Sequence, residues 1–140
     1  MRVLICGGRD FGTSTDEKHW MLDQLTRLNA QHGFSAIIEG GAPGADTGAR
    51  IFGEISSIPV ETFRADWRKH GPAAGPIRNQ RMIDEGKPDV VIAFPGGRGT
   101  ADMVRRARTA GLRVIEASAK ENPAEAGPSC PISTKIGQPA

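Results

Sequence analysis

Three glycine-rich runs are the parts of this 140-residue chain best suited to holding an anion: Gly7-Gly8-Arg9-Asp10-Phe11-Gly12, Gly40-Gly41-Ala42-Pro43-Gly44-Ala45-Asp46 and Pro95-Gly96-Gly97-Arg98-Gly99-Thr100. Glycine permits positive φ and lets backbone N–H groups approach a ligand with no Cβ in the way. Where such a run opens a helix, the helix N-terminus adds about half a positive charge and several unpaired N–H donors, which suits phosphate. Gly41, Gly44, Gly97 and Gly99 are the expected backbone donors. Arg78 and Asn79 follow Gly71-Pro72-Ala73-Ala74-Gly75 and fall in the first turns of a helix. A desolvated Arg78–phosphate contact is worth roughly 1.5–3 kcal/mol; an arginine left in water or in a surface ion pair contributes little.

The polar residues around these runs each have two readings. Asp46 either binds a ribose hydroxyl or moves a proton, or it is a first-turn carboxylate favoured by the helix dipole. Asp10 acts on a ligand or closes an Asx-type turn. Arg9 and Arg98 are loop-tip cations that reach phosphate or simply face solvent. Asp66-Trp67 ends a strand, where Trp67 covers a base or packs between helices. Thr100 donates its hydroxyl to phosphate or caps the helix that follows.

Other chemistries find less support. Gly7 and Gly12 have the spacing that begins a P-loop, but Thr13-Ser14 stand where Lys and Ser/Thr are required, which disfavours ATP hydrolysis. None of the loops spells G-x-G-x-x-G, so hydride transfer with bound NAD is unsupported and no cofactor is expected. His19, His32 and His70 read as surface residues in a helix, at a helix end and in a polar turn, with neither metal-ligand nor nucleophile spacing. Cys6 and Cys130 lack the paired spacing of a disulfide scaffold or zinc site, which fits a reducing cytoplasm. A net charge of +2, with five Phe, two Trp and no Tyr, lacks the basic stripe and stacking aromatics of a single-stranded nucleic-acid groove. No apolar run approaches the ~18 residues of a membrane span.

The segments that must position these groups alternate in type. Val3–Cys6, Ala36–Ile38, Val60–Phe63, Val90–Phe94 and Leu112–Ile115 are short apolar or β-branched runs that read as strands. The first and fourth are nearly continuous, as in strands buried on both faces of a parallel sheet, and belong at its centre. Ser14 and Glu17 have capping-box spacing and open a helix with Met21, Leu25 and Leu28 on one face before Gly33 stops it. Further helices are expected near Ala45–Ser56, Ala74–Glu85 and Thr100–Ala110. Regular alternation predicts a Rossmann-like three-layer α/β domain over residues 1–116, with a mainly parallel sheet of about five strands. In that arrangement all three glycine loops lie at the carboxyl edge, where open sheets bind ligands.

Five motifs in order, Gly7-Gly8-Arg9-Asp10-Phe11, Gly40 to Asp46, Ala65-Asp66-Trp67, Arg78-Asn79-Gln80-Arg81-Met82 and Pro95 to Thr100, give the region from Met1 to Glu116 its resemblance to the SLOG superfamily. The branch it resembles is the YspA, cpYpsA-related one. The resemblance implies a Rossmann-like domain that senses or processes nucleotide-derived ligands, with no established reaction for the branch. More distantly the chain is similar to the Lonely Guy phosphoribohydrolases, which pair an arginine with a glutamate beside the P-G-G-x-G-T loop. Arg78 matches that arginine, but Met103 stands where the glutamate belongs. Asp102 is adjacent, and a helix turns by about 100° per residue, which points the two positions in different directions.

Binding or sensing of a nucleotide-like small molecule is therefore the leading reading. An N-glycosidase acting on nucleoside 5′-monophosphates, with Arg78 on phosphate and Asp46 or Asp102 as acid/base, is second. Single-stranded nucleic-acid binding is third. A homo-oligomer stays open. From Ala117 onward Pro123, Pro128, Pro131 and Pro139 are scattered among Ala, Ser, Gly and charge, the composition of a flexible tail, from which Ile132 or Ile136 could still dock. Deleting the residues after Ala117 should leave the melting temperature in a thermal scan nearly unchanged; a large drop would mean that the tail packs on the domain.

Overall fold

The structure is a computed structural model that describes residues 1–117. Its strands are β1 (Arg2–Cys6), β2 (Ala36–Glu39), β3 (Val60–Thr62), β4 (Val90–Ala93) and β5 (Arg113–Glu116). They form one sheet in the order β3-β2-β1-β4-β5, every neighbouring pair parallel. Helices α1 (Thr15–His32), α2 (Ala45–Ser56), α3 (Trp67–His70), α4 (Ala74–Asp84) and α5 (Arg98–Thr109) make the crossovers, with a 3-10 turn at Gly71–Ala73. The expected five-stranded Rossmann-like fold is therefore present, and β1 and β4 lie side by side at its middle. Strand order reverses between them, so their carboxyl ends open a crevice.

Side-chain alternation explains why the two central runs are apolar throughout. Val3 and Ile5 pack with Met21, Leu25, Ala49 and Phe52 of α1 and α2, while Leu4 and Cys6 pack with Met82, Met103, Val104 and Ala107 of α4 and α5. Both faces of the sheet are covered, so neither set of alternate positions tolerates a polar group. In α1 the Ser14 hydroxyl accepts from the Glu17 N–H at 3.1 Å. The Glu17 carboxylate reaches back to the Gly12 N–H at 3.0 Å, two residues beyond the reciprocal partner of a capping box. Gly33 ends the helix in the left-handed region, φ 70°, where its N–H bonds to the Asn29 carbonyl.

Three elements differ from the sequence expectation. Helix α5 begins at Arg98 with Gly97 as its cap residue, two positions before Thr100, which places Arg98 in the first turn and not at a loop tip. The stretch read as a polar turn at His70 contains α3, whose cap Asp66 accepts from the Lys69 N–H at 3.1 Å. A four-residue helix is too short to carry a hydrophobic period. Ala117, read as the start of the tail, still donates its N–H to the Ala93 carbonyl at 2.8 Å and packs against the core. The rest of the proposed tail, with Cys130, Ile132 and Ile136, lies outside the described residues. No helix among the described residues is long and apolar enough to cross a membrane.

Phe94 joins the sheet to the first glycine loop. Its ring stacks on Phe11 of that loop, centroids 5.6 Å apart, and meets Trp20 of α1 edge-on at 5.8 Å. It is only 2% exposed, so truncation empties a filled site. Phe94→Ala should cost roughly 3–5 kcal/mol in urea unfolding. A loss below about 1 kcal/mol would mean that this trio does not anchor the loop.

Candidate functional site

The three glycine loops are fastened to one another by backbone. The Gly8 N–H donates to the Pro95 carbonyl at 2.8 Å, and the Gly8 carbonyl accepts from Phe11 at 3.2 Å and from Ala45 at 3.1 Å. Such contact leaves no room for side chains. A Cβ on Gly7 would stand 2.6 Å from the Ala45 Cβ, one on Gly8 would stand 3.1 Å from both Gly96 Cα and the Pro95 carbonyl oxygen, and one on Gly96 would lie 2.6 Å from the Gly8 nitrogen. Gly44, at φ 80°, would drive a Cβ into the carbonyls of Gly8 and Arg9. These glycines are explained by close packing of the loops. Gly97 and Gly99 are not: neither has a positive φ, and nothing lies within 4 Å of a Cβ built on either. Among the described glycines they alone combine both properties.

Gly97 and Gly99 border a cavity of about 260 Å³ at the crevice between β1 and β4. Gly7, Gly8, Arg9, Asp46, Arg78 and Asn79 line it on one side, Arg98 and Thr100 with the two glycines on the other, and Cys6, Met82 and Met103 complete its wall. The start of α5 has no side-chain cap, and the N–H groups of Arg98, Gly99 and Thr100 have no hydrogen-bond partner among the described residues. The second loop is different. The Gly41 N–H is held by Glu39 Oε1 at 2.6 Å, the Ala42 N–H by Asp46 Oδ2 at 3.1 Å, and the Ala45 N–H by Gly8. Gly41, expected to face a ligand, thus turns its donor inward, because a buried carboxylate competes for it.

Arg78 is held in place and only partly satisfied. Its Nε donates to Asn79 Oδ1 at 3.0 Å and its Nη1 to the Gly40 carbonyl at 2.6 Å, while Nη2 has no partner among the described residues. Burial pulls its pKa down and the Asp46 charge opposes this; an arginine in this setting stays cationic. A Cβ on Gly40 would lie 2.6 Å from Arg78 Nη1, so only glycine lets the guanidinium reach that carbonyl. Asn79, 4% exposed, uses its amide to donate to the Gly99 carbonyl at 3.2 Å and to Asp102 Oδ2 at 3.0 Å. It clamps α4 to α5 and orients Arg78, with its hydrogen-bonding capacity used within the protein.

Of the remaining predicted residues, Thr100 borders the cavity and the others fall outside it. Asp102 is bound by Arg105 at 2.5 Å and Arg106 at 2.8 Å. Burial favours its neutral form, but the hydrogen bonds from Arg106 and Asn79 and the charges of Arg106 and Arg105 win, holding it below the usual carboxylate range. Asp66 caps α3, as described above. Asp10 is exposed, and its carbonyl accepts from the Thr13 hydroxyl at 3.0 Å. Thr100 is the third residue of α5 and not its cap; its hydroxyl lies against Gly96. Ala45 is wholly buried under Gly7, and Gly40, Gly44, Pro95 and Gly96 shape the loops behind the wall. His19 is exposed, while His32 and His70 are half-buried. Cys6 does line the cavity, but burial and the Asp46 charge push its thiol up to about 12, which makes it a poor nucleophile.

Glu39 was not singled out from the sequence. It closes β2, is fully buried, and accepts from Gly41, from the Thr62 hydroxyl and from Arg50 at 3.5 Å. Those contacts fix the Gly40-Gly41 turn whose carbonyl receives Arg78. The available signal was an acid at the end of the apolar run Ala36-Ile37-Ile38, immediately before a glycine pair.

Asp46, 7% exposed, has its carboxyl raised to about 6, chiefly by burial, with the nearby Glu39 charge adding and the Ala42 hydrogen bond and Arg78 opposing. A raised acid binds its proton more tightly in the folded chain, so its contribution to stability is most favourable below the unfolded value near 4 and is lost as pH rises through about 6. Asp46→Asn keeps an acceptor for Ala42 without the charge. Its stability relative to the native chain should therefore increase by about 2–3 kcal/mol between pH 4 and pH 7. Denaturant unfolding of both proteins across that range checks this; a constant difference would remove the raised carboxyl.

The comparisons with known proteins agree with this architecture. The family model described as the YspA, cpYpsA-related SLOG family matches residues 1–70, from β1 through α3. The Gene 61 protein of Mycobacterium phage D29 is 39% identical over 121 residues, covering 81% of this chain and 94% of that protein. Among solved structures, TM1055, a structural-genomics target, superposes with a TM-score of 0.65 at 19% identity, covering 81% of this chain and 71% of its own. The Moco carrier protein from Chlamydomonas reinhardtii superposes with a TM-score of 0.56 at 16% identity, covering 93% and 87%. At these identities the two structures speak to fold alone. The family match over half the chain and the phage relative over most of it carry more: the chain belongs to the YspA, cpYpsA-related SLOG family.

Proposed function

We propose that the chain binds a nucleotide or nucleotide-derived ligand, seating its phosphate at the start of α5 against Arg78. The observation that carries this reading is the pair Gly97 and Gly99. No contact within the described residues and no positive φ requires glycine there, and a side chain at either position would project into open space beside the cavity. Gly99 lies in the first turn of α5, where glycine costs up to about 1 kcal/mol relative to alanine, whereas Gly97 is the cap residue, a position that favours glycine over alanine. The absence of an internal reason for that cost supports an external one, the close approach of a ligand to the backbone. The uncapped α5 N–H groups supply donors, the free Nη2 of Arg78 supplies charge, and Arg9 and Arg98 stand beside them. That a neighbour on this fold is by name a carrier also fits a role in binding.

Hydrolysis of a nucleoside 5′-monophosphate is the second reading, favoured by one feature: Asp46, with its carboxyl near 6, shares the cavity with Arg78. A group titrating there could deliver a proton to a leaving base. Two features weigh against it. Asp102 is tied to two arginines, and Met103 occupies the cavity wall at the sequence position where the related hydrolases carry glutamate. Incubation with the four common monophosphates, with free base measured, separates the readings.

Gly99→Ala should raise the melting temperature slightly, by the equivalent of up to about 1 kcal/mol, while weakening nucleoside monophosphate binding in calorimetric titration. Arg78→Ala should weaken that binding roughly 10- to 150-fold and leave binding of the uncharged nucleoside unaffected. Arg78→Lys should restore part of it, since lysine keeps the charge without the planar fork. Equal affinities in all four proteins would remove both Arg78 and the α5 terminus from any ligand site.

A further inference from the structure

A second cavity of about 750 Å³ lies beyond the first, and the two share Arg9, Arg78, Asn79, Arg98 and Gly99 as walls. Its distinguishing residue is Trp67, 47% exposed although the largest side chains of this domain are otherwise mostly covered. The indole is placed with some care. Asp66 caps the short helix that Trp67 begins, and Gly75 of α4 lies beneath the ring edge, where an added Cβ would be 3.3 Å from Cη2. The guanidinium of Arg9 sits over the ring, 5.5 Å from its centroid. Neither Arg9 nor Arg98 has a carboxylate partner among the described residues.

A half-exposed indole with one guanidinium over its ring and a second, carboxylate-free guanidinium nearby is suited to a planar ring attached to an anion. A ring stacked on Trp67 would enter between the indole and the Arg9 guanidinium, with Arg9 then lying against the ring's other side. The inner cavity alone, bounded by backbone donors and Arg78, offers no flat aromatic surface: Phe11 and Phe94 are buried in the core. An anion seated at α5 therefore has one direction in which an attached ring would meet an aromatic partner, across Arg9 and Arg98 toward Trp67. We infer that Trp67 with Arg9 forms a base-stacking subsite for the ligand whose phosphate occupies the inner cavity; this rests on the phosphate reading above. Recognition by stacking is tolerant of base identity, so the subsite selects for the presence of a base more than for one base over another.

The test compares ribose 5-phosphate, AMP and CMP as probes, titrated by calorimetry into the full chain and into Trp67→Ala, Trp67→Phe and Arg78→Ala. The native protein should bind AMP roughly 10-fold or more tightly than ribose 5-phosphate. Trp67→Ala should bring AMP down to the ribose 5-phosphate level without changing the latter, and Trp67→Phe should recover part of the preference. Arg78→Ala should weaken all three probes together. Because the chain has just two tryptophans, a Trp20→Phe protein adds a spectroscopic reading: AMP should quench the Trp67 emission and ribose 5-phosphate should not. If Trp67→Ala keeps the native AMP preference, the subsite is overturned while the phosphate reading stands. If the native protein binds none of the three probes, both readings fail together.

Discussion

The backbone of Gly8, through its N–H and its carbonyl, holds the carboxyl edge of this molecule together. Its N–H meets the β4 loop at Pro95 and its carbonyl meets the first residue of α2 at Ala45, so one residue couples the strand at the centre of the sheet to both of its neighbours. Backbone hydrogen bonds of this kind hold loops at fixed separation only when the chains approach closely, and the glycines at positions 7, 8, 44 and 96 are what permits that approach. The crevice at the point of strand reversal is therefore framed by contacts of backbone with backbone. Its outline is set by main chain, and side chains such as Arg78 and Asp46 are added to it from the helices.

The polar interior behind the crevice follows from the same arrangement. A turn as tight as Gly40-Gly41 leaves partly buried N–H and carbonyl groups to which the helices and sheet offer no backbone partner, and side chains pair them. Glu39 takes one N–H, Asp46 another, and Arg78 the Gly40 carbonyl. Two carboxylates so near one another raise the cost of charging both, which helps explain why Asp46 holds its proton to higher pH. Arg50 at Glu39 and Arg78 near Asp46 offset part of that cost. Asn79 plays a comparable role across the α4–α5 boundary, where a single amide serves a carbonyl, a carboxylate and a guanidinium.

The alternation of segment types was legible because each strand at the centre is buried on both faces and each long helix has one apolar stripe; Val3 to Cys6 and Met21, Leu25, Leu28 carry those signals in plain form. The three glycine loops were legible as loops, and their place at one edge follows from a parallel sheet. Their division of labour was not. Whether a glycine serves packing or an open cavity depends on which atoms another segment brings near it, and neither Gly44 nor Gly97 announces this locally. Glu39 escaped notice for a related reason: its partners Thr62 and Arg50 are distant in sequence. Asp102 looked like a neighbour of the site by position, yet two arginines on its own helix take its carboxylate. Helix α3 and the exposed setting of Trp67 depend on the turn chemistry of Asp66 and Gly71, a scale at which periodicity has nothing to measure.

A fully parallel sheet gives the molecule two unlike ends. Every strand starts at one rim, where the Met1 amino group donates to the Gly33 carbonyl at 2.9 Å, and every strand finishes at the other, where β5 ends beside β4. The amino terminus and the cavity thus face away from each other across the length of the sheet. A surface or fluorophore attached through the first residue would leave the crevice facing solvent, whereas one attached directly after Ala117 would begin at the same carboxyl edge of the sheet as the crevice. The polarity of the strands thus separates the first residue from the crevice by the length of the sheet.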